Sequence, residues 1–114
     1  MATNKGNRVG DTHLVTLTAT VGAKKLAQLD GTLSGAGEYG FPTLEGGGSG
    51  DKIALQISGV AVVIAGASGV TAAGDAVESD GSGLAQSFTS GKVIGRALNS
   101  AASGEEVQIV LGYN

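Results

Sequence analysis

The sequence has no cysteine and no tryptophan, one proline and one histidine. Without cysteine there can be no disulfide, no thiolate nucleophile and no thiolate metal site. The same absence fits a reducing compartment. Two tyrosines and two phenylalanines are the whole aromatic inventory, so a core has to be built from Val, Leu and Ile, and few rings are on hand to stack against sugars. No apolar run approaches the 18 residues of a membrane helix; the longest, residues 60–65, spans six. No basic-then-apolar leader opens the chain. The expectation is a soluble, cytoplasmically made protein with no membrane partner.

What is present points to β structure. The 114 residues are enough for one domain with one core. Hydrophobic residues make up 41%, which rules out a disordered tail, and 21 glycines occur without a collagen-like period. Charge is uneven. Up to residue 25 there are four basic residues against one acid, and from residue 26 onward three against nine. An acidic body whose basic residues are not interleaved with aromatics argues against a nucleic-acid partner.

The strongest internal signal is an echo. Ser49-Gly50-Asp51-Lys52-Ile53-Ala54-Leu55-Gln56-Ile57 returns 54 residues later as Ser103-Gly104-Glu105-Glu106-Val107-Gln108-Ile109-Val110-Leu111. Each copy is a Ser-Gly-acid turn followed by aliphatic residues at alternate positions, the pattern of a half-buried strand. Ile53, Leu55, Ile57, Val107, Ile109 and Leu111 are therefore expected in the core. Val15 and Leu17 join them from a strand expected over residues 13–21, with threonines on its wet face. Residues 23–29 have helical composition but run into Asp30-Gly31, a hairpin signal, and are read as strand. Asp80-Gly81 repeats that signal in the second half. Seven or eight short strands are expected in an all-β fold, a small barrel or sandwich. Residues 1–10 would form an extended arm and residues 11–114 a single β domain, with pseudo-repeat halves at about 11–60 and 61–114.

Chemical motifs fail on context. Gly35-Ala36-Gly37-Glu38-Tyr39-Gly40 fits G-x-G-x-x-G, but Phe41-Pro42 follows where a phosphate-receiving helix would have to start. Gly91-Lys92 lacks the earlier glycine and the following Ser/Thr of a P-loop. Asp75, Glu78 and Asp80 miss the spacing of an EF-hand and read as an acidic turn. Ser49 and Lys52 match S-x-x-K in a glycine loop, not on a helix. The lone His13 has no G-x-S-x-G nucleophile to serve. No catalytic, cofactor or metal residue is nominated, and the chain is not expected to be an enzyme.

The order of elements resembles the small tailed-phage capsid cement, or head decoration, proteins, a family formerly catalogued as a domain of unknown function. Met1-Ala2-Thr3-Asn4 and Val9-Gly10-Asp11-Thr12 look like its opening. The run from Gly50 to Val60 looks like its central strand, and Ala73-Gly74-Asp75-Ala76-Val77 with Ser79-Asp80-Gly81 like its hairpin. Val93-Ile94-Gly95-Arg96-Ala97-Leu98 and the run from Gly104 to Leu111 look like its closing elements. The chain departs from the family at Glu78, where an aromatic often stands, and in a glycine-expanded stretch over residues 33–50. The resemblance implies a β module on the outer surface of the virion capsid that stabilises the head. Its partners would be the major capsid protein and two further copies of itself in a homotrimer, with no cofactor. The alternatives are another virion β module, such as a fibre base or tail-associated piece, and a ligand-binding sandwich. On the decoration reading, polar segments outside the repeated strands should make the capsid or subunit contacts: Asn4, Lys5 and Arg8 of the arm, and Tyr39, Phe41 and Pro42 of the loop over residues 38–50.

Overall fold

The computed structural model describes Arg8–Val9 and residues 11–111. These residues form an all-β fold without helices, a small sandwich of ten short strands where seven or eight were expected. The strands are β1 (Arg8–Val9), β2 (Thr12–Thr16), β3 (Leu26–Ala27), β4 (Phe41–Pro42), β5 (Lys52–Gln56), β6 (Gly59–Ile64), β7 (Ala76–Ser79), β8 (Ala85–Ser87), β9 (Gly95–Ala97) and β10 (Glu106–Leu111). Three of them are only two residues long, because glycine turns repeatedly cut the alternating pattern.

One sheet runs β1-β6-β10-β9-β7-β8. The pairs β2-β5 and β3-β4 are joined by a bridge between Thr43 and Leu55, giving the order β3-β4-β5-β2. The four strands β3-β4-β5-β2 match β7-β9-β10-β6 of the larger sheet. Thr43 opposite Leu55 corresponds to Ala97 opposite Ile109, each 54 residues on. Val15 opposite Ile53 corresponds to Val63 opposite Val107. The echoed strands β5 and β10 thus do not pair with each other; each takes the same place in its own sheet.

The turns before these strands repeat bond for bond. In residues 48–51 the Gly48 N–H donates to the Asp51 carboxylate at 2.8 Å and the Asp51 N–H to the Gly48 carbonyl at 3.0 Å. In residues 102–105 the Ala102 N–H meets the Glu105 carboxylate and the Glu105 N–H the Ala102 carbonyl, at the same two distances. Gly50 and Gly104 sit third in these turns at φ of +93° and +84°, a conformation that glycine adopts without steric cost. Their N–H groups reach the carbonyls of Leu17 and Ala65, whose own N–H groups return to Asp51 and Glu105. Residues 72–75 close the same way against Ala97. Residues 22–25 take the same place against Thr43, with Lys24 in the glycine position at φ +59°, but here the Thr43 hydroxyl closes the turn, accepting from the Lys25 N–H and donating to the Gly22 carbonyl.

Two apolar clusters fill the sandwich. Val15, Leu17, Val21, Ala27, Ile53 and Leu55 form one, with Leu33 and Phe41 packed against it. Val63, Val77, Val107, Ile109 and Leu111 belong to the other, together with Leu26. Two local expectations need correction. The strand expected over residues 13–21 stops at Thr16, since the chain bends at Thr18-Ala19 and leaves Ala19 exposed, although Leu17 and Val21 stay buried. Ile57 is half-buried, because β5 ends at Gln56 and the chain turns through Gly59 at φ +92°. At residues 8–9 the expected arm is an edge strand, with Arg8 opposite Val60.

Candidate functional site

The residues nominated for contacts fall into three environments. Asn4 and Lys5 lie outside the described residues, and Arg8 is placed by its backbone in β1. Tyr39 stands 60% exposed, Phe41 is half-buried against the first cluster, and Pro42 is fully buried. Pro42 is therefore a core residue and presents no surface. It sits opposite Leu26 in the β3-β4 pair, and the two-residue strand turns its ring inward.

Tyr39 is held in place rather than carried on a loose loop. The Ser34 hydroxyl donates to the Tyr39 carbonyl at 2.7 Å. The Glu38 carboxylate accepts from the Gly35 N–H and the Gln28 side-chain amide. The Lys92 ammonium lies 5.4 Å from the centre of the Tyr39 ring, within range of a cation–π attraction. With Phe41, Tyr39 forms a ridge between two apolar hollows. The larger, about 440 Å³, is lined by Gln28, Leu29, Asp30, Tyr39 and Phe41. In the smaller, about 180 Å³, three pairs of lining residues are 54 apart: Tyr39 with Val93, Gly40 with Ile94, and Ile57 with Leu111. It thus lies where the two matching sheets meet. Such a surface can take up apolar side chains of a macromolecular partner. Asp30 gives its rim an anion, its carboxyl held below the usual range chiefly by the Thr32 hydroxyl, then by the Thr32 N–H.

A buried acid supports this ridge from behind. Glu78, read from sequence as part of an acidic turn, is 3% exposed in β7. Its Oε1 accepts the N–H groups of Thr89, Ser90 and Gly91, and its Oε2 accepts the Gln86 amide and the Thr89 hydroxyl. Three successive backbone N–H groups on one oxygen make an anion nest, filled here by the protein's own carboxylate. Burial by itself pushes this carboxyl up. The bonds from Gly91, Thr89 and Gln86 outweigh it and bring the pKa down to about 2. The loop so fixed packs on the Tyr39 segment: the Lys92 N–H donates to Gly37, and a Cβ on Gly91 would lie 2.2 Å from the Gly37 Cα. The sequence signal that could have found Glu78 is its place between the strand residues Val77 and Ser79, ahead of the donor-rich Thr89-Ser90-Gly91.

The rejected motifs are structural parts. Residues 35–40 form a turn leading into β4, and Gly37 donates to the Ser79 carbonyl. Ser49 is in a turn and Lys52 opens a strand, so they do not share a helix face. His13 is exposed on β2. Among the described residues no three His, Asp or Glu side chains gather as metal ligands.

No protein-family model matches the chain, and no curated protein matches it. A solved structure that it resembles is the head fiber gp8.5 N base of bacteriophage phi29. The TM-score is 0.68 at 18% identity, and the match covers 90% of this chain and 93% of that one. At that identity the likeness establishes a shared fold.

Proposed function

We propose that this chain is a non-enzymatic structural protein of a phage virion, attached to the outer surface of the head by contacts with the major capsid protein. The observation that carries the reading is the fold shared, over nearly the whole of both chains, with a phage head fibre base. The geometry supports it. A rigid Tyr39–Phe41 ridge beside apolar hollows suits adhesion to a surface, and tied-down turns suit a module that must keep its shape.

Two forms of the role follow. As a decoration protein, the module bridges capsid subunits and stiffens the shell, and many modest contacts repeated by the shell's symmetry add up. As a fibre base, it anchors a longer appendage, a reading favoured because the similar solved structure is itself a fibre base. Assembly as a homotrimer on threefold sites belongs to either form. Adding the purified protein to heads that lack it, then sedimenting the heads, tests the proposal. Saturable, stoichiometric co-sedimentation is expected. Raised thermal resistance of the heads selects the decoration form and unchanged resistance the fibre base. Failure to bind would overturn both.

A further inference from the structure

One arginine on the outer face of the larger sheet has no acid to pair with. Arg96 of β9 lies opposite Val110 of β10 and Ala76 of β7, and its neighbours Gly95 and Ala97 are buried, so its side chain points away from the core. The guanidinium donates to the Gly74 carbonyl at 3.3 Å, and among the described residues the only ion pair joins Lys24 to Glu106. Asp75, next after Gly74, has its carboxylate turned onto the Ala72 N–H and the Ser87 hydroxyl. Beside Arg96 is a hollow of about 430 Å³ whose other walls are Ala73, Gly74, Ala97, Leu98 and Val110. The matching positions of the smaller sheet are covered by the protein itself: Pro42 and Gln56, 54 residues before Arg96 and Val110, are fully buried. The larger sheet therefore leaves open a face that its counterpart covers, with a cation set among aliphatic walls. That chemistry fits an aliphatic side chain followed by a carboxylate.

Among the described residues one exposed acid adjoins an exposed large aliphatic side chain: Asp30, after Leu29. The two stand on a turn in which the Gly31 N–H donates to the Gln28 carbonyl and the Gln28 N–H to the Thr32 carbonyl. Leu29 is 55% exposed, and Asp30 is fixed by the Thr32 N–H and hydroxyl. Of the other charges near this tip, Asp51 is offset by the adjacent Lys52, and Glu38 by Lys92 at the neighbouring Tyr39. The tip is left with the single anion of Asp30. Within one molecule Asp30 and Arg96 make no ion pair.

We propose that the Leu29-Asp30 tip of one copy seats in the Arg96 hollow of the next. Leu29 then packs on Ala73, Leu98 and Val110, and the Asp30 carboxylate accepts from the Arg96 guanidinium while keeping its bonds to Thr32. The two carboxylate oxygens have lone pairs enough for both. The contact is heterologous, so each added copy brings a free tip and a free hollow until a ring closes. It is smaller than a standard interface of roughly 1,200–2,000 Å², so it forms where copies are concentrated. Leu29 and Asp30 make one wall of the larger hollow, which leaves the Tyr39–Phe41 ridge and the smaller hollow to face the head. The isolated protein carries both halves of the contact, whether or not it binds a head.

Sedimentation equilibrium reads the contact. Wild-type protein taken from micromolar to millimolar concentration should associate. Arg96→Glu and Asp30→Lys should each weaken that association about tenfold, by setting like charges against each other. The double variant should recover it, with the two signs exchanged. Because Asp30 and Arg96 do not pair within one copy, a folding defect in either variant would not be repaired by adding the other. Asp30→Asn, which keeps an acceptor for Thr32, should show an intermediate loss. A wild type that stays monomeric at millimolar concentration, single variants that associate as well as it does, or a double variant as weak as the singles would overturn the pairing.

Discussion

Replacing Glu78 with glutamine should loosen the loop over residues 86–92 and remove a specific part of the pH dependence of stability. The carboxylate takes five hydrogen bonds. A glutamine amide can keep the three backbone donors on its oxygen, but its N–H₂ replaces the oxygen that accepted the Gln86 amide and the Thr89 hydroxyl, so both donors must turn over and the charge-assisted bonds are lost. The fall in pKa from 4.5 to about 2 corresponds to roughly 3 kcal/mol by linkage. Solvent near the loop's outer face screens this to on the order of 2 kcal/mol. Since the folded-state pKa lies below the unfolded one, the stabilisation is complete above about pH 4.5 and disappears as the pH falls toward 2. Urea unfolding followed by far-ultraviolet circular dichroism measures both proteins between pH 7 and 2. The wild type should exceed Glu78→Gln by about 2 kcal/mol at pH 7, with the gap closing through pH 4 to 2. A gap below about 0.5 kcal/mol at neutral pH, within the scatter of ordinary surface substitutions, would refute the reasoning. So would a gap constant across the range.

Glycine substitutions should separate turn conformation from close packing. Gly50→Ala meets nothing within 4 Å and should cost about 1 kcal/mol through its positive φ alone. Gly91→Ala drives a methyl into the Gly37 backbone and should cost about 1–3 kcal/mol and disturb the Tyr39 segment; chemical denaturation compares the two. Ile109→Asp should unfold the protein by placing a lone charge at a fully buried site, whereas Ile57→Asp, in a half-buried hollow, should stay folded at room temperature. Thermal melts check that order, and equal loss at both sites would contradict it. Tyr39→Ala should leave the melting temperature within a few degrees of wild type and still weaken head binding in a sedimentation assay; unchanged binding would remove the ridge from the interface.

The residues themselves explain what was legible in the sequence. Ile53, Leu55, Val107, Ile109 and Leu111 were readable because strands with one buried face alternate with period two, and all five are buried. The Ser-Gly-acid turns were readable because glycine and the acid both serve the same local closure. The matching turns at residues 22–25 and 72–75 were hidden: Lys24 stands in the glycine position and Lys25 in the acid position, and the two turns differ by a residue in their distance from Val21 and Val70. Ile57 was misread as core because alternation does not announce where a strand ends. Pro42 was misread as surface because its polar, glycine-rich neighbours gave no sign of the β3-β4 pair that turns it inward. Glu78 was missed although it stands between two strand residues, because its partners arrive from residues 86–91 and make burial of a charge tolerable only after folding.

The central claim, a structural module on a phage head, is tested most directly by an electron cryomicroscopy map of the particles produced from the genome that encodes this chain. Density is expected on the outer face of the shell that fits the two matched sheets, with the Tyr39–Phe41 ridge turned toward capsid protein. Density for this fold at the tail or inside the shell, or virions that lack it entirely, would contradict the account.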